Sequence, residues 1–188
     1  TTEEYTKFAN EMMDKPLSYY AFQMLYWCGI RVGELLALTP SDFDFNNKTV
    51  TISKSYQRLH SEDIITSPKT PKSNRTIKMP QFLCDEMQEY INMFYEAGEN
   101  DRIFPISKSY LHHEMDRGSN KAGVKRIRIH DLRHSHVSLL IDKGFQPLAI
   151  ADRVGHESVD ITYRYAHLFP SKQIEMVNTL DEIWKGDN

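Results

Sequence analysis

The chain has 188 residues, a hydrophobic fraction of 40% and a formal net charge of −3, which is length enough for one domain with a real core or at most two small ones. No apolar run approaches the ~20 residues that a bilayer span needs, and no charged leader precedes an apolar core, so a soluble, cytoplasmic protein with no membrane partner is expected. Cys28 and Cys84 lie among apolar residues without CxxC spacing, which predicts buried free thiols rather than a zinc site or a redox pair.

In chain order, TTEEY opens a first helix, with Thr1 and Glu4 in capping-box spacing and Tyr5, Phe8, Met12 and Met13 as its apolar stripe. A second helix follows Pro16 and stops at Gly29, and the short RVGELLAL helix ends before Thr39-Pro40. Arg31 therefore stands at a helix start. From Lys48 to Met79 the pattern changes to β-branched alternation in TVTISKSY, DIITS and NRTIKM, which predicts a three-stranded antiparallel sheet. Helical period returns in QFLCDEMQEYINMFYEAG, which should close at Gly98, and again around 109–117. HDLRHSHVSLLID then runs to Gly144, PLAIADRV begins at Pro147, and a short helix is predicted over 158–164. The expected fold class is α+β and mostly helical, with one small sheet.

Charge is unevenly distributed. Lys54, Arg58, Lys69, Lys72, Arg75 and Lys78 crowd one segment and Lys121, Lys125, Arg126, Arg128 and Arg133 another, while acidic residues concentrate near the ends. That division suits one basic face with an acidic back, a solvated mixed surface being the alternative. The average charge alone argues against a nucleic-acid partner.

Three segments, IRVGELLAL (30–38), HDLRHSHVSLLIDKG (130–144) and ADRVGHESVDITYRYAHL (151–168), each end in residues that could face one phosphate. With Lys69 between the first two, Arg31, His130, Arg133, His156 and Tyr165 fall in the order and spacing that breaking and rejoining DNA through a phosphotyrosine requires. Over nearly its whole length the chain resembles the catalytic domain of the tyrosine recombinases, the phage-integrase family, especially the integrases of phages and conjugative elements.

The chemistry fits that resemblance. A phenol with a reference pKa of ~10 faces a handicap of about 4 kcal/mol in forming phenolate at pH 7, so a tyrosine nucleophile needs cations nearby. Attack on a phosphodiester builds charge on the non-bridging oxygens, which two guanidiniums, Arg31 and Arg133, would clamp. The departing 5′-oxygen needs a proton donor; the family's hairpin lysine matches Lys69, with Lys72 a near neighbour that stays open. His130 and Arg133 form the family's His-x-x-Arg box on one helix face, where the histidine could accept the tyrosine proton or hold a phosphate oxygen. His156 matches the Gly-His box, nine residues before Tyr165. Tyr163 competes with Tyr165, but the family places its nucleophile directly ahead of a small residue and His, here Ala166-His167. Glu34 either supports Arg31 or forms an ordinary surface pair. His134, His136 and His167 read as structural or supporting. The HExxH glutamate that a metal reading of the histidines would want is absent.

The resemblance implies a site-specific recombinase that integrates or excises a mobile element through a 3′-phosphotyrosine, without metal, ATP or any cofactor. Residues 1–188 would form the catalytic domain, beginning where that domain normally begins, with the family's core-binding and arm-binding domains not included. Expected partners are double-stranded DNA at attachment-type sites, a homotetramer assembled on DNA, and accessory DNA-bending proteins. Candidate DNA contacts are Lys72, Arg75, Lys125, Arg126 and Arg128. Residues 171–188 form a tail whose Ile174, Val177, Leu180, Ile183 and Trp184 share a helical face, to be covered by a neighbouring subunit or by the chain's own body. The alternatives are a catalytically silent DNA-binding or assembly module of the same fold, or a type IB topoisomerase-like activity.

Overall fold

The computed structural model describes residues 1–60, 62–67, 73–94, 98–156, 158–163, 165 and 173–186. Helix α1 (Thr2–Asn10) is closed by the expected capping box, in which the Thr1 hydroxyl accepts the Glu4 N–H. Helix α2 (Pro16–Cys28) carries Pro at its start and ends on left-handed Gly29. Residues Tyr20 to Tyr26 and Cys28 are all buried on it, so it is apolar around most of its circumference and runs through the middle of the molecule. Tyr5 stacks on Tyr26 with ring centroids 3.6 Å apart, and the Tyr5 hydroxyl donates to Gln23, which ties α1 to this central helix. Helix α3 (Val32–Leu36) follows at once, with Arg31 as its N-cap residue.

A three-stranded antiparallel sheet is present, with strands that differ in part from those expected. It orders β1 (Phe43–Asp44), β2 (Thr49–Ile52) and β5 (Arg75–Lys78). The TVTISKSY run breaks after Ile52, and its second half forms β3 (Ser55–Leu59), paired with β4 (Glu62–Thr66) in a separate hairpin. The break falls beside Lys54, whose ammonium is drawn to the Asp42 carboxylate at 2.8 Å and the Thr39 hydroxyl at 2.8 Å. Period-2 alternation continues through both halves, so the change of partner leaves no mark in the sequence.

Helix α4 (Gln81–Asn92) ends earlier than the expected stop at Gly98, whereas α5 (Lys108–Ala122) extends past the expected 109–117 to left-handed Gly123. Helices α6 (Ile129–Asp142), α7 (Pro147–Val154) and α8 (Val159–Tyr163) follow close to their expected bounds. The main core joins α1 to α5 and the first sheet around α2. A second, smaller core of Val137, Ile141, Ile150 and Val154 packs α6 on α7 and takes the Tyr165 ring against it. Helix α9 (Gln173–Gly186) presents Met176, Val177, Leu180, Ile183 and Trp184 to solvent, each more than half exposed. No helix among the described residues is long and apolar enough to cross a membrane.

Candidate active site

Arg31 enters the site from the turn between α2 and α3. Its backbone N–H donates to Glu34 Oε2 at 2.8 Å, and its guanidinium donates to Glu34 Oε1 at 2.9 Å and to the Gly155 carbonyl at 3.1 Å. Glu34 is 3% exposed, so it is no surface carboxylate. Its second cation is Arg75, whose Nη1 and Nη2 donate to the two carboxylate oxygens at 3.1 and 2.9 Å. Burial alone would raise the Glu34 pKa, but the Arg75 hydrogen bonds and charge, followed by those of Arg31, hold it below the usual carboxylate value. Arg75 also donates to the Arg153 carbonyl at the end of α7. One buried fork thus joins β5, α3 and α7 beneath Arg31.

Arg133 rises from the first turns of α6 and is 3% exposed. Its Nη1 donates to the Gly29 carbonyl at 2.8 Å, and its Nη2 is buried with no hydrogen-bond partner among the described residues. Burial, then the neighbouring Arg31 charge, pushes its pKa down to about 9, with Glu34 and Tyr165 opposing; it remains cationic at neutral pH. Gly29 makes this approach feasible: it sits at φ +63°, and a Cβ there would lie 2.5 Å from the His136 ring. His136, one turn along α6, accepts from Arg153 Nε at 3.0 Å. Burial and the Arg153 charge push it down to about 3, so it is a neutral packing histidine.

His156 follows Gly155, which is left-handed at φ +68° and would clash with Arg75 through any Cβ. The imidazole is 8% exposed, and its Nδ1 shares a hydrogen bond of 2.9 Å with the Thr162 hydroxyl. Burial first, then Arg133, Arg31 and Arg75, depress it to about 4. Thr162 also anchors Tyr165, whose backbone N–H donates to the Thr162 carbonyl at 3.0 Å. The Tyr165 hydroxyl hydrogen-bonds His134 Nδ1. His134 in turn meets His130 edge to face, with centroids 4.8 Å apart. His130 is exposed at its edge; partial desolvation, then His134, Arg133 and Arg31, lower its pKa.

Arg31, His130, Arg133, His156 and Tyr165 are thus brought together; of the two readings of Glu34 the support of Arg31 is the one seen, and Arg75 and His134 join the group as its partners. Lys69, Lys72 and His167 lie outside the described residues. Arg75, expected to touch DNA from the surface, has a side chain only 6% exposed and committed to Glu34, so the structure removes it from that role. Lys125, Arg126 and Arg128 are exposed as expected. Arg126 pairs with Asp116 and Arg128 with Asp131, pairs open enough to solvent that a phosphate could displace the carboxylate. Tyr163, the rival tyrosine, is 52% exposed at the end of α8. Among the described residues no three His, Cys, Asp or Glu side chains are grouped to hold a metal.

Two guanidiniums, three imidazoles and a phenol are grouped here, an arrangement chemically able to hold an anion beside a phenol. The phage integrase family profile matches residues 1–172, and the chain belongs to that family. The ICEBs1 integrase of Bacillus subtilis (strain 168) is 32% identical over 96% of this chain and 53% of its own length. The integrase of Staphylococcus phage L54a is 28% identical over 82% of this chain and 49% of its own. The chain therefore spans about half the length of these relatives. In fold it is similar to the Tn1549 transposon integrase in complex with circular intermediate DNA, with a TM-score of 0.78 at 20% identity over 98% of this chain and 64% of that one. The catalytic domain of bacteriophage HP1 integrase gives 0.66 at 19% identity over 95% and 92% of the two chains.

Proposed function

We propose that residues 1–188 are the catalytic domain of a site-specific tyrosine recombinase that integrates or excises a mobile genetic element, with 171–188 as a tail helix. The observation that carries this reading is the meeting of Arg31, Arg133 and His156 beside Tyr165, with the buried Glu34 carboxylate neutralised by Arg31 and Arg75. Tyr165 attacks the scissile phosphate and forms a 3′-phosphotyrosyl link while the P–O5′ bond breaks. Arg31 and Arg133 take the charge that develops on the non-bridging oxygens, and His156 adds a donor from the third side. A hairpin lysine, Lys69 or Lys72, protonates the 5′-oxygen. A 5′-hydroxyl from a second duplex reverses the steps, so strands exchange without loss of bond energy.

The partner is double-stranded DNA at attachment-type sites, a reading supported by the Tn1549 integrase complexes with DNA. Lys125, Arg126 and Arg128 are the proposed backbone contacts. The exposed apolar face of α9 supports assembly on DNA through docking of the tail on a neighbouring subunit. The test is strand exchange between two plasmid-borne target sites in the absence of ATP and divalent ions. Excision product lost in Arg133→Ala is the expected result. Relaxation of supercoils without exchange would instead indicate a type IB topoisomerase, and DNA retention with neither would indicate a silent binding module.

A further inference from the structure

We propose that His134 is a catalytic residue of this site, its Nδ1 taking the Tyr165 phenol proton during cleavage and returning it during rejoining. The inference rests on the recombinase reading above and names the base within it. The sequence pattern offers His130 for that proton, but the structure sets His130 one ring further back. The two histidines are four residues apart on α6 and share a face. Their rings meet edge to face at 4.8 Å, and the His134 ring then lies 5.8 Å from that of Tyr165, with Nδ1 hydrogen-bonded to the tyrosine hydroxyl.

The phenol is held there by two further contacts. Its ring packs on the small core of Val137, Ile141, Ile150 and Val154, and its backbone is fixed by Thr162, whose hydroxyl shares the bond with His156. Among the described residues, the charged and titratable groups around His134 are His130, Asp131 and Arg133 of α6 and its N-cap Arg128, His156 and Tyr165 from the segment after α7, and Tyr26 and Asp142 across the adjoining groove. Burial, then the Arg128 and Arg133 charges set against Asp131, lowers the His134 pKa, so the imidazole is neutral at pH 7 and free to accept. Acceptance at Nδ1 requires the tautomer with its proton on Nε2.

The step balances. The Tyr165 proton passes to His134 Nδ1 as Oη bonds to phosphorus and the P–O5′ bond breaks, leaving an imidazolium and a 5′-oxygen that takes its proton from the leaving-group acid. In rejoining, the incoming 5′-hydroxyl loses its proton to that acid's conjugate base, the phosphotyrosyl bond breaks, and the imidazolium reprotonates Tyr165.

The experiment compares single-turnover adduct formation by the wild-type chain, His134→Gln, His134→Ala and Tyr165→Phe on a target duplex with either oxygen or sulfur at the bridging 5′ position of the scissile phosphate. A thiolate departs without a proton, so the sulfur substrate removes the need for a leaving-group acid but leaves the tyrosine to be deprotonated. His134→Gln should be slower by roughly 10²-fold on both substrates. It should also lack the wild-type decline in rate as pH falls through the histidine pKa, and added imidazole should restore part of the rate to His134→Ala. A wild-type rate and pH profile in His134→Gln would overturn the assignment, as would a defect that disappears with sulfur, since His134 would then serve the leaving group. An adduct that depends on Tyr165 but not on His134 sinks this inference alone; no adduct from the wild type, or one that survives Tyr165→Phe, sinks the recombinase reading with it.

Discussion

Glu34 lies 3% exposed between two guanidiniums and accepts from the Arg31 backbone, the Arg31 side chain and both ends of the Arg75 fork. Arg31 is thereby held in place while Arg75, its side chain 6% exposed, neutralises the remaining carboxylate charge. Removing one member of a buried pair costs about 3–5 kcal/mol when the other is left uncompensated; Arg31 stays on Glu34, so the lower end of that range applies. Arg75→Met should lower unfolding free energy by that order in urea titration, and Arg75→Met with Glu34→Gln should recover part of the loss. A change within about 1 kcal/mol for the single variant would mean that Glu34 finds water or another cation. Arg31 and Glu34 were readable as a pair from their spacing, but the stronger partner was not: Arg75 is 41 positions away, and a single sequence carries no record of which cation turns inward.

The junction of α2 and α3 positions three of the site's parts at once. Gly29 turns the chain at φ +63°, lends its carbonyl to Arg133 and leaves room for His136. Gly29→Ala meets both the left-handed backbone and the imidazole edge, so a loss above ~1 kcal/mol is expected, together with slower cleavage because the backbone shift displaces the residue 29 carbonyl that anchors Arg133. Thermal melts and adduct rates check this; a variant with wild-type values for both would remove the junction from the account. Helix α2 was legible because Pro16 and Gly29 bracket it, and α6 and α7 because Gly144, Pro147 and Gly155 punctuate them. The two-sheet division of residues 43–78 was not, since it depends on the tertiary reach of Lys54 to Asp42 rather than on any change of period. His134 was likewise invisible as a functional residue: its value comes from where residue 165 returns to α6, a contact across 31 positions.

Two buried histidines couple the folding of the chain to pH. His136 and His156 are pushed down to about 3 and about 4, by burial first and then by arginine charge. The folded chain keeps them neutral while the unfolded chain protonates them below its ordinary value of about 6.5. Stability is therefore full above that pH and falls as pH drops toward 4, by up to about 1.4 kcal/mol per pH unit for each histidine. Urea midpoints at pH 7 and pH 5 measure it, and equal midpoints would contradict it. The tail makes a separate prediction. Leu180 and Ile183 are 65% and 58% exposed, so Leu180→Asp with Ile183→Asp should leave the melting temperature unchanged and impair assembly on DNA. A lower melting temperature with normal assembly would place the tail on the chain's own body. Cleavage of DNA through Tyr165 is measured by covalent capture. The chain is mixed with fragmented DNA from its source, denatured, and the DNA still bonded to protein is sequenced, with Tyr165→Phe and Tyr163→Phe in parallel. Discrete ends joined through a 3′-phosphate, kept by Tyr163→Phe and lost in Tyr165→Phe, are predicted; an adduct that survives Tyr165→Phe, or none from the unaltered chain, would contradict the account.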